Sequence, residues 1–276
     1  MLNFKNYFLA DSVAVAYEEL MKNKKNVIIG GGSYLRLGNS ELNTVISLDK
    51  LEMDFIKEDS NYISLGPMVN FRELETNNVI KNYCNGIISE SVSGILGVQF
   101  RNNVTLGATA FSKYGFSDLI TALLAVDAKI VLFKQGELTL KEYLAVEQTE
   151  KDILVEVKLP KKAKCGIFKC VRKSSTDYSI VNVGVVKDEN NNYTVVVGAR
   201  PSRAKIAENF SKEITAIVKN IENENIELLE EKLTKEILGI IDEELIFGDN
   251  MRGSGKYRCL LSKNLIKMAI MEVFTK

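Results

Sequence analysis

The spacing of apolar and polar residues predicts alternating helices and strands over the first part of the chain. The segment 11–24 predicts a helix capped by Asp11 or Ser12. Its apolar face consists of Val13, Ala16, Tyr17 and Leu20. Short apolar runs that end at turn residues predict strands at 27–29, 45–48, 62–65, 129–133 and 153–159. Helical spacing occurs between them at 71–82, 86–92 and 118–126.

The pattern changes after Pro160, where the charged run KKAK precedes strand-like alternation. Strands are predicted at 167–171, 180–186 and 193–197, and the polar run KDENNNY predicts a hairpin turn between the last two. Helical patterns complete the chain, one beginning near Ser202 and the others covering 226–238 and 257–274. We therefore place a domain boundary near residue 162, between a mixed α/β part and an α+β part.

The composition is that of a globular protein without an electrostatic preference for nucleic acid. The 276 residues include 36 Lys and Arg against 36 Asp and Glu, which gives a net charge of zero, and 46% of them are apolar. The N-terminal residues lack the pattern of a secretion signal, and no apolar run is long enough to span a bilayer. The sequence predicts a cytoplasmic protein that binds neither nucleic acid nor membrane.

Histidine is absent, and the four cysteines form no C-x-x-C pair. The chain therefore lacks an imidazole base and the spacing of a zinc or iron–sulfur site. We expect no catalytic acid or base and no metal ligand here, so redox chemistry would need an organic cofactor.

The glycine triplet at 30–32, followed by Ser33, is the first candidate binding loop. A P-loop is excluded because no Gly-Lys-Ser/Thr sequence follows. A dinucleotide-binding fingerprint is excluded because Leu35 occupies the third glycine position and the next strand begins too soon for a crossover helix. Two alternatives remain: a loop whose backbone N–H groups converge on a phosphate, and a flexible turn, which is the commoner case for a lone triplet.

A second segment, VQFRNNVTLGATAFSKYGFSDL, has the same character. Small residues follow an apolar stretch at 105–109, and Ser117 and Asp118 precede an apolar helix for which they are also natural caps. Two small-residue loops with hydroxyl groups fit a long ligand that is held at two places. FAD, with its central pyrophosphate, is such a ligand.

Four motifs in this order resemble the FAD-binding subunit of the molybdenum hydroxylases, the family of xanthine dehydrogenase, nicotinate dehydrogenase and CO dehydrogenase. The family's first loop, A-G-G-T-D-L, matches 30–35, and its second, Q-I-R-N-x-A-T-I-G-G-N followed by S-D, matches 99–109 and 117–118. An aromatic-Lys pair before an Asp-containing strand matches Phe168-Lys169 and Asp177. The C-terminal motif matches, in order, Asp249, Arg252, Ser254, Tyr257 and Arg258.

The resemblance implies an α+β fold in two domains. Residues 1–162 would form a PCMH-type FAD-binding domain with lobes of about 1–55 and 56–162. Residues 163–276 would form a C-terminal three-stranded antiparallel sheet with helices, like that of the CO dehydrogenase flavoprotein.

The resemblance also assigns residues to parts of FAD. The pyrophosphate would be wrapped by Val27, Ile28, Ile29, Gly30, Gly31, Gly32, Ser33 and Tyr34. The second loop would line the ribityl and phosphate side with Val104, Thr105, Gly107, Ala108, Thr109 and Ser112. Ser117 and Asp118 would hold the adenosine end. The flavin ring would lie near Leu154 and Lys169 and beside an apolar wall at Ile95-Leu96.

The chain departs from the family pattern at three of these positions. Ala108 and Thr109 replace Gly and Asn, and Tyr34 replaces an acidic or polar residue. A methyl group at position 108 requires a negative φ there. Each remaining residue also has a purely structural interpretation: Lys169 as a solvated lysine, Arg101 as a structural arginine, and Cys165 and Cys170 as small buried or edge residues.

The function implied is an electron-transfer subunit of a hetero-oligomer. A partner with [2Fe–2S] clusters would pass electrons from a molybdenum-cofactor subunit to FAD, and NAD⁺ or another acceptor would receive them. Two alternatives stay open on the sequence. One is a stand-alone flavin reductase similar to UDP-N-acetylenolpyruvoylglucosamine reductase, and the other is a flavin-free assembly subunit.

Overall fold

The computed structural model describes residues 3–38, 41–147, 150–221 and 225–276. The chain forms two compact units, each made of several segments. Unit 1 contains Met1–Glu73, Gly97–Ser112 and Ala128–Leu159, and unit 2 contains Leu74–Leu96, Lys113–Asp127 and Pro160–Lys276. The boundary near residue 162 and the two lobes stay predictions.

Unit 1 contains a parallel and a mostly antiparallel sheet. The parallel sheet has the order β1-β3-β2, from Asn3–Leu9, Glu41–Ser47 and Val27–Ile29. The second has the order β4-β5-β8-β6-β7, from Ile56–Glu58, Tyr62–Leu65, Leu154–Pro160, Lys129–Leu132 and Gly136–Thr139. The helices are α1 (Val13–Lys22), α5 (Val98–Arg101), α6 (Leu106–Ser112) and α8 (Leu140–Ala145).

Unit 2 is built on an antiparallel sheet with the order β12-β11-β10-β9. Its strands are β9 (Ala163–Arg172), β10 (Ser179–Asp188), β11 (Tyr193–Gly198) and the two-residue β12 (Lys205–Ile206). Its helices are α3 (Asn78–Asn82), α4 (Ile87–Ser93), α7 (Asp118–Ala125), α9 (Glu208–Lys219), α10 (Ile226–Lys232), α11 (Lys235–Glu244) and α12 (Gly255–Phe274). Helix α2 (Phe71–Thr76) spans the point where the chain passes between the units.

Each unit has its own apolar core. In unit 1, Ala16 and Leu20 of α1 pack with Ile46 of β3, as the helical spacing predicts. Unit 2 buries Val181, Val183 and Val185 of β10 among side chains of α9 and α12. Alternate residues of a strand point to one face, which explains this two-residue spacing.

The predicted α+β fold and the three strands of the C-terminal sheet are confirmed, and β12 extends that sheet by two residues. Ser12 is the cap of α1, where its Oγ accepts a hydrogen bond from the Val15 N–H at 3.2 Å. The helix predicted to begin near Ser202 is present as α9, but its predicted start is wrong: β12 occupies Lys205–Ile206, so the helix begins only at Glu208. The region 226–238 contains two helices because the Thr234 hydroxyl caps a new one, accepting from the Ile237 N–H at 3.3 Å.

Candidate functional site

The glycine loop leaves the end of β2 and packs directly against the second loop, within unit 1. A Cβ atom on Gly30 would lie 2.3 Å from Thr105 Oγ1 and 3.1 Å from the Ala108 methyl carbon. On Gly31 it would lie only 1.3 Å from the backbone oxygen of Asn103. Glycine is therefore required at both positions by contact between the two loops. The structure brings together the two segments that the sequence analysis selects.

Gly32 and Ser33 have the features expected of a phosphate-binding turn. Gly32 has φ +68°, a left-handed conformation that favours glycine. Ser33 is 7% exposed, and its Oγ has no hydrogen-bond partner within the described ranges. A buried hydroxyl without a partner is costly, so a ligand oxygen that accepts its proton would stabilise the loop. Ser33 and the glycines therefore fit an FAD phosphate.

Tyr34, which replaces the family's polar residue, is half-buried beside the second segment. Its ring meets that of Phe100 edge-on, with the ring centroids 6.4 Å apart and an interplanar angle of 86°. This geometry is favourable for an aromatic pair. The substitution thus has a packing role within unit 1.

Backbone hydrogen bonds fix the second loop before α6 begins. The Phe71 N–H donates to the Val104 oxygen at 2.9 Å, and the Gly107 N–H donates to the Pro67 oxygen at 2.8 Å. A Cβ on Gly107 would lie 2.5 Å from the Pro67 Cβ, so this glycine is also required by packing.

Ala108 and Thr109 both lie inside α6, where φ is negative. The requirement stated for a methyl group at position 108 is therefore met. The Thr109 hydroxyl donates to the Thr105 oxygen at 3.0 Å, and that of Ser112 donates to the Ala108 oxygen at 2.6 Å. Both hydroxyls retain oxygen lone pairs, so in this arrangement they can accept hydrogen bonds from a ligand.

Leu154 and Leu96 are in different units and differ sharply in exposure. Leu154 begins β8, pairs with Leu132 of β6 and is buried at 5% exposure. Leu96 is 43% exposed and has φ +46°. A left-handed conformation is costly for a branched side chain.

Ser117 and Asp118 form the beginning of α7 in unit 2. Ser117 caps the helix, its Oγ accepting from the Ile120 N–H at 3.2 Å, so the structural interpretation from the sequence is confirmed for this residue. Asp118 is 4% exposed and accepts hydrogen bonds from Arg172, Ser179 and Asn182. Its role toward adenosine stays a prediction.

Lys169 lies on β9 and pairs with the last helix. Its Nζ is 2.7 Å from Glu272 Oε2. The ammonium groups of Lys169 and then Lys276 hold the pKa of the Glu272 carboxyl below its ordinary value. Lys169 is therefore not simply a solvated lysine, and its role beside the flavin ring stays a prediction.

The structure adds Arg172 and Asn182 to the residues selected on the sequence. Both contact Asp118. Asn182 is a fully buried polar residue inside the apolar strand β10, and this interruption of the pattern is a usable sequence signal.

The C-terminal motif has a structural role. Ser254 caps α12, and Arg258 is 1% exposed and donates to the backbone oxygens of Ile180 and Ala199. Arg258 thus ties α12 to the sheet of unit 2.

The described parts of the chain offer neither a metal site nor a membrane span. They contain no cluster of three or more Cys, Asp or Glu side chains that could hold a metal ion. Within those same ranges no helix is long and apolar enough to cross a membrane.

Replacing Ser33 by alanine is expected to weaken FAD binding about tenfold while leaving the stability of the apoprotein nearly unchanged. The reason is that the Ser33 hydroxyl makes no hydrogen bond within the described protein. FAD titration and thermal denaturation measure the two effects. Ser93→Ala is the control, because that hydroxyl donates to the Glu90 oxygen at 3.1 Å on α4. Equal FAD affinity in wild type and Ser33→Ala would contradict the assignment.

Replacing Lys169 by methionine is expected to reduce the decrease in unfolding free energy that acidification causes. Because the pKa of the Glu272 carboxyl is lowered in the folded protein, this group stabilises the fold at pH values above its ordinary pKa of 4.5. That contribution is lost as the pH falls through the lowered pKa. Because the pair is partly exposed, the effect is at most about 1 kcal/mol. Urea unfolding between about pH 7 and about pH 3 measures it. Lys164→Met, an exposed lysine on the same strand, should keep the wild-type profile.

Comparison with known proteins places this geometry in a family. The family described as FAD binding domain in molybdopterin dehydrogenase matches residues 2–162. The uncharacterized protein YgfM of Escherichia coli K12 is 22% identical over 203 residues, which cover 72% of this chain and 76% of YgfM.

The chain is also similar to solved structures over its whole length. CO dehydrogenase from Oligotropha carboxidovorans has a TM-score of 0.84 at 15% identity, covering 100% of this chain and 99% of that one. Quinoline 2-oxidoreductase from Pseudomonas putida 86 has a TM-score of 0.80 at 16% identity, with coverage of 98% and 96%. These likenesses establish the fold, and the match over 2–162 establishes the cofactor as FAD. The chain belongs to the family of FAD-binding domains of the molybdopterin dehydrogenases.

Proposed function

We propose that this chain is the electron-transfer flavoprotein subunit of a molybdenum hydroxylase of the xanthine dehydrogenase type. The observation that carries the proposal is the buried Ser33 hydroxyl, which lacks a partner in the described structure and lies in a loop of an FAD-binding family. The likeness to CO dehydrogenase and quinoline 2-oxidoreductase chains supports it, because that likeness includes the C-terminal sheet and helices as well as the flavin domain.

In this function FAD supplies two-electron redox chemistry when it is bound. The chain's own residues bind and orient the cofactor. Gly30 and Gly31 let the two loops approach, and Ser33 donates a hydrogen bond to a phosphate oxygen. No side chain has to transfer a proton, which is consistent with a chain without histidine.

The partners in the proposed hetero-oligomer are a [2Fe–2S] subunit and a molybdenum-cofactor subunit, with NAD⁺ or another acceptor receiving the electrons. The spacing of the cysteines supports an external location for the clusters. The four cysteines form no C-x-x-C pair, so the chain lacks the ligand spacing of an iron–sulfur site.

The test begins with the absorption spectrum of the purified chain and the identification of flavin released by heat. Stoichiometric FAD that NADH reduces anaerobically would support the proposed electron-transfer role with a nicotinamide acceptor. FAD that NADH leaves oxidised would point to another acceptor. Purification of the tagged chain from its source cells, followed by iron and molybdenum analysis, tests the partners.

Two results would favour the alternatives. A yellow chain that is isolated without iron and molybdenum and reduces a free substrate would support a stand-alone flavin reductase. A chain that binds no FAD after reconstitution, yet is isolated with iron and molybdenum, would support an assembly subunit.

A further inference from the structure

The ammonium group of Lys151 contacts three backbone oxygens of unit 1. Its Nζ donates to the Asn23 oxygen at 2.8 Å, to the Asn26 oxygen at 2.9 Å and to the Leu20 oxygen at 3.2 Å. Leu20 and Asn23 lie at the C-terminal end of α1, where the helix dipole favours a cation. Burial lowers the pKa of Lys151, and the three oxygens replace hydrogen bonds that the ammonium group would otherwise make to water.

The side chain of Asn26 is fixed as well as its backbone. Asn26 is 1% exposed, and its Nδ2 donates to the Glu19 oxygen of α1 at 2.7 Å. Its Oδ1 accepts from the Thr44 N–H of β3 at 3.1 Å and from the Asn43 amide at 2.8 Å. Asn26 is thus joined to α1, to β3 and to Lys151.

Asn26 directly precedes β2, the strand that leads into the glycine loop. β2 (Val27–Ile29) has only three residues and lies at the edge of the parallel sheet, where it pairs with β3. An edge strand this short makes few ladder hydrogen bonds, so contacts at the residue before it contribute strongly to its position. Gly30 follows the strand directly, and Ser33 lies three residues further along the chain.

We propose that Lys151 is a positioning residue for the phosphate-binding loop: it fixes the Asn26 carbonyl to the end of α1 and thereby places the loop so that Ser33 reaches the phosphate. This inference rests on the proposed function of the loop. The three N–H groups of the ammonium are all used by backbone oxygens, so Lys151 acts through the loop and does not itself bind phosphate. Every residue in this series of contacts belongs to unit 1.

A double-mutant cycle on FAD affinity tests the proposal. Lys151→Met keeps an unbranched side chain of similar length and removes the ammonium group. We expect Lys151→Met and Ser33→Ala each to weaken FAD binding about tenfold, and the double variant to match Lys151→Met within about twofold. Lys24→Met, which changes an exposed lysine in the turn after α1, is the control and should keep wild-type affinity.

Independent effects that multiply to about a hundredfold in the double variant would overturn the proposal. So would a Lys151→Met variant that is less stable but binds FAD with wild-type affinity, because that result describes a lysine that only ties α1 to the sheet.

Lys151→Gln carries the same cycle if Lys151→Met does not fold, because an amide keeps two N–H donors and loses only the charge and one donor. The double variant of Lys151→Gln and Ser33→Ala should match Lys151→Gln within about twofold, and additive losses of affinity would again overturn the proposal.

Absence of FAD from the reconstituted wild type would instead overturn the proposed function. Hydrogen exchange of the apoprotein over residues 26–33 then separates the two ideas. Faster exchange in Lys151→Met than in Lys24→Met supports the hold on the loop, and equal exchange in these two variants overturns it.

Discussion

Replacing Gly31 by alanine is expected to abolish FAD binding and to destabilise unit 1 by at least about 3 kcal/mol. The added Cβ would lie 1.3 Å from the Asn103 backbone oxygen and 2.3 Å from its carbonyl carbon. Because the obstacle is backbone, no rotation of a side chain relieves it, and the two loops have to separate. Urea denaturation and the flavin content of the purified protein measure the two effects.

Gly239→Ala is the matched control for this substitution. Gly239 lies in α11, and a Cβ there would meet no described atom within 4 Å. Alanine favours a helix interior over glycine by about 0.5–1 kcal/mol, so this variant should be as stable as wild type or more so, with normal FAD content. Wild-type stability and flavin content in Gly31→Ala would show that the loops do not pack as described.

Replacing Arg258 by alanine is expected to cost roughly 3–5 kcal/mol of unfolding free energy in unit 2. The side chain is 1% exposed and donates hydrogen bonds to the Ile180 oxygen, to the Ala199 oxygen at 2.9 Å and to the Asn250 side chain. Burial lowers the pKa of this guanidinium. Its removal leaves three acceptors without their donor and opens a cavity below α12.

Arg252→Ala is the control within the same motif. That guanidinium lies over the Tyr178 ring at 5.0 Å and pairs with Asp177 at 3.0 Å, and both groups of the ion pair are partly exposed. Its loss should cost no more than about 1.5 kcal/mol. The chain has no tryptophan, so circular dichroism is the suitable probe of unfolding. Equal losses of unfolding free energy in Arg258→Ala and Arg252→Ala would show that burial does not determine how much Arg258 contributes to stability.

Local pattern was sufficient for most of the secondary structure. Strands β2 and β5 have the predicted bounds, and α7 begins at the predicted residue, because each depends on side chains close together in the sequence. Strand β1 was missed, as were β4, β7 and helix α8. Strand β1 pairs with Glu41–Ser47, which lies far along the chain, and most of the residues of β1 are exposed. This segment is therefore a strand because of tertiary pairing and not because of its own apolar pattern.

For the candidate site, the sequence by itself determined which loops to examine, because runs of glycine and hydroxyl residues are visible without a structure. Only the tertiary structure decided what each residue contacts. It placed Gly31 against Asn103, engaged Asp118 with Arg172 and paired Lys169 with Glu272. The reason is physical: backbone conformation and burial periodicity depend on neighbours in the chain, whereas hydrogen bonds and close contacts join residues that only folding brings together.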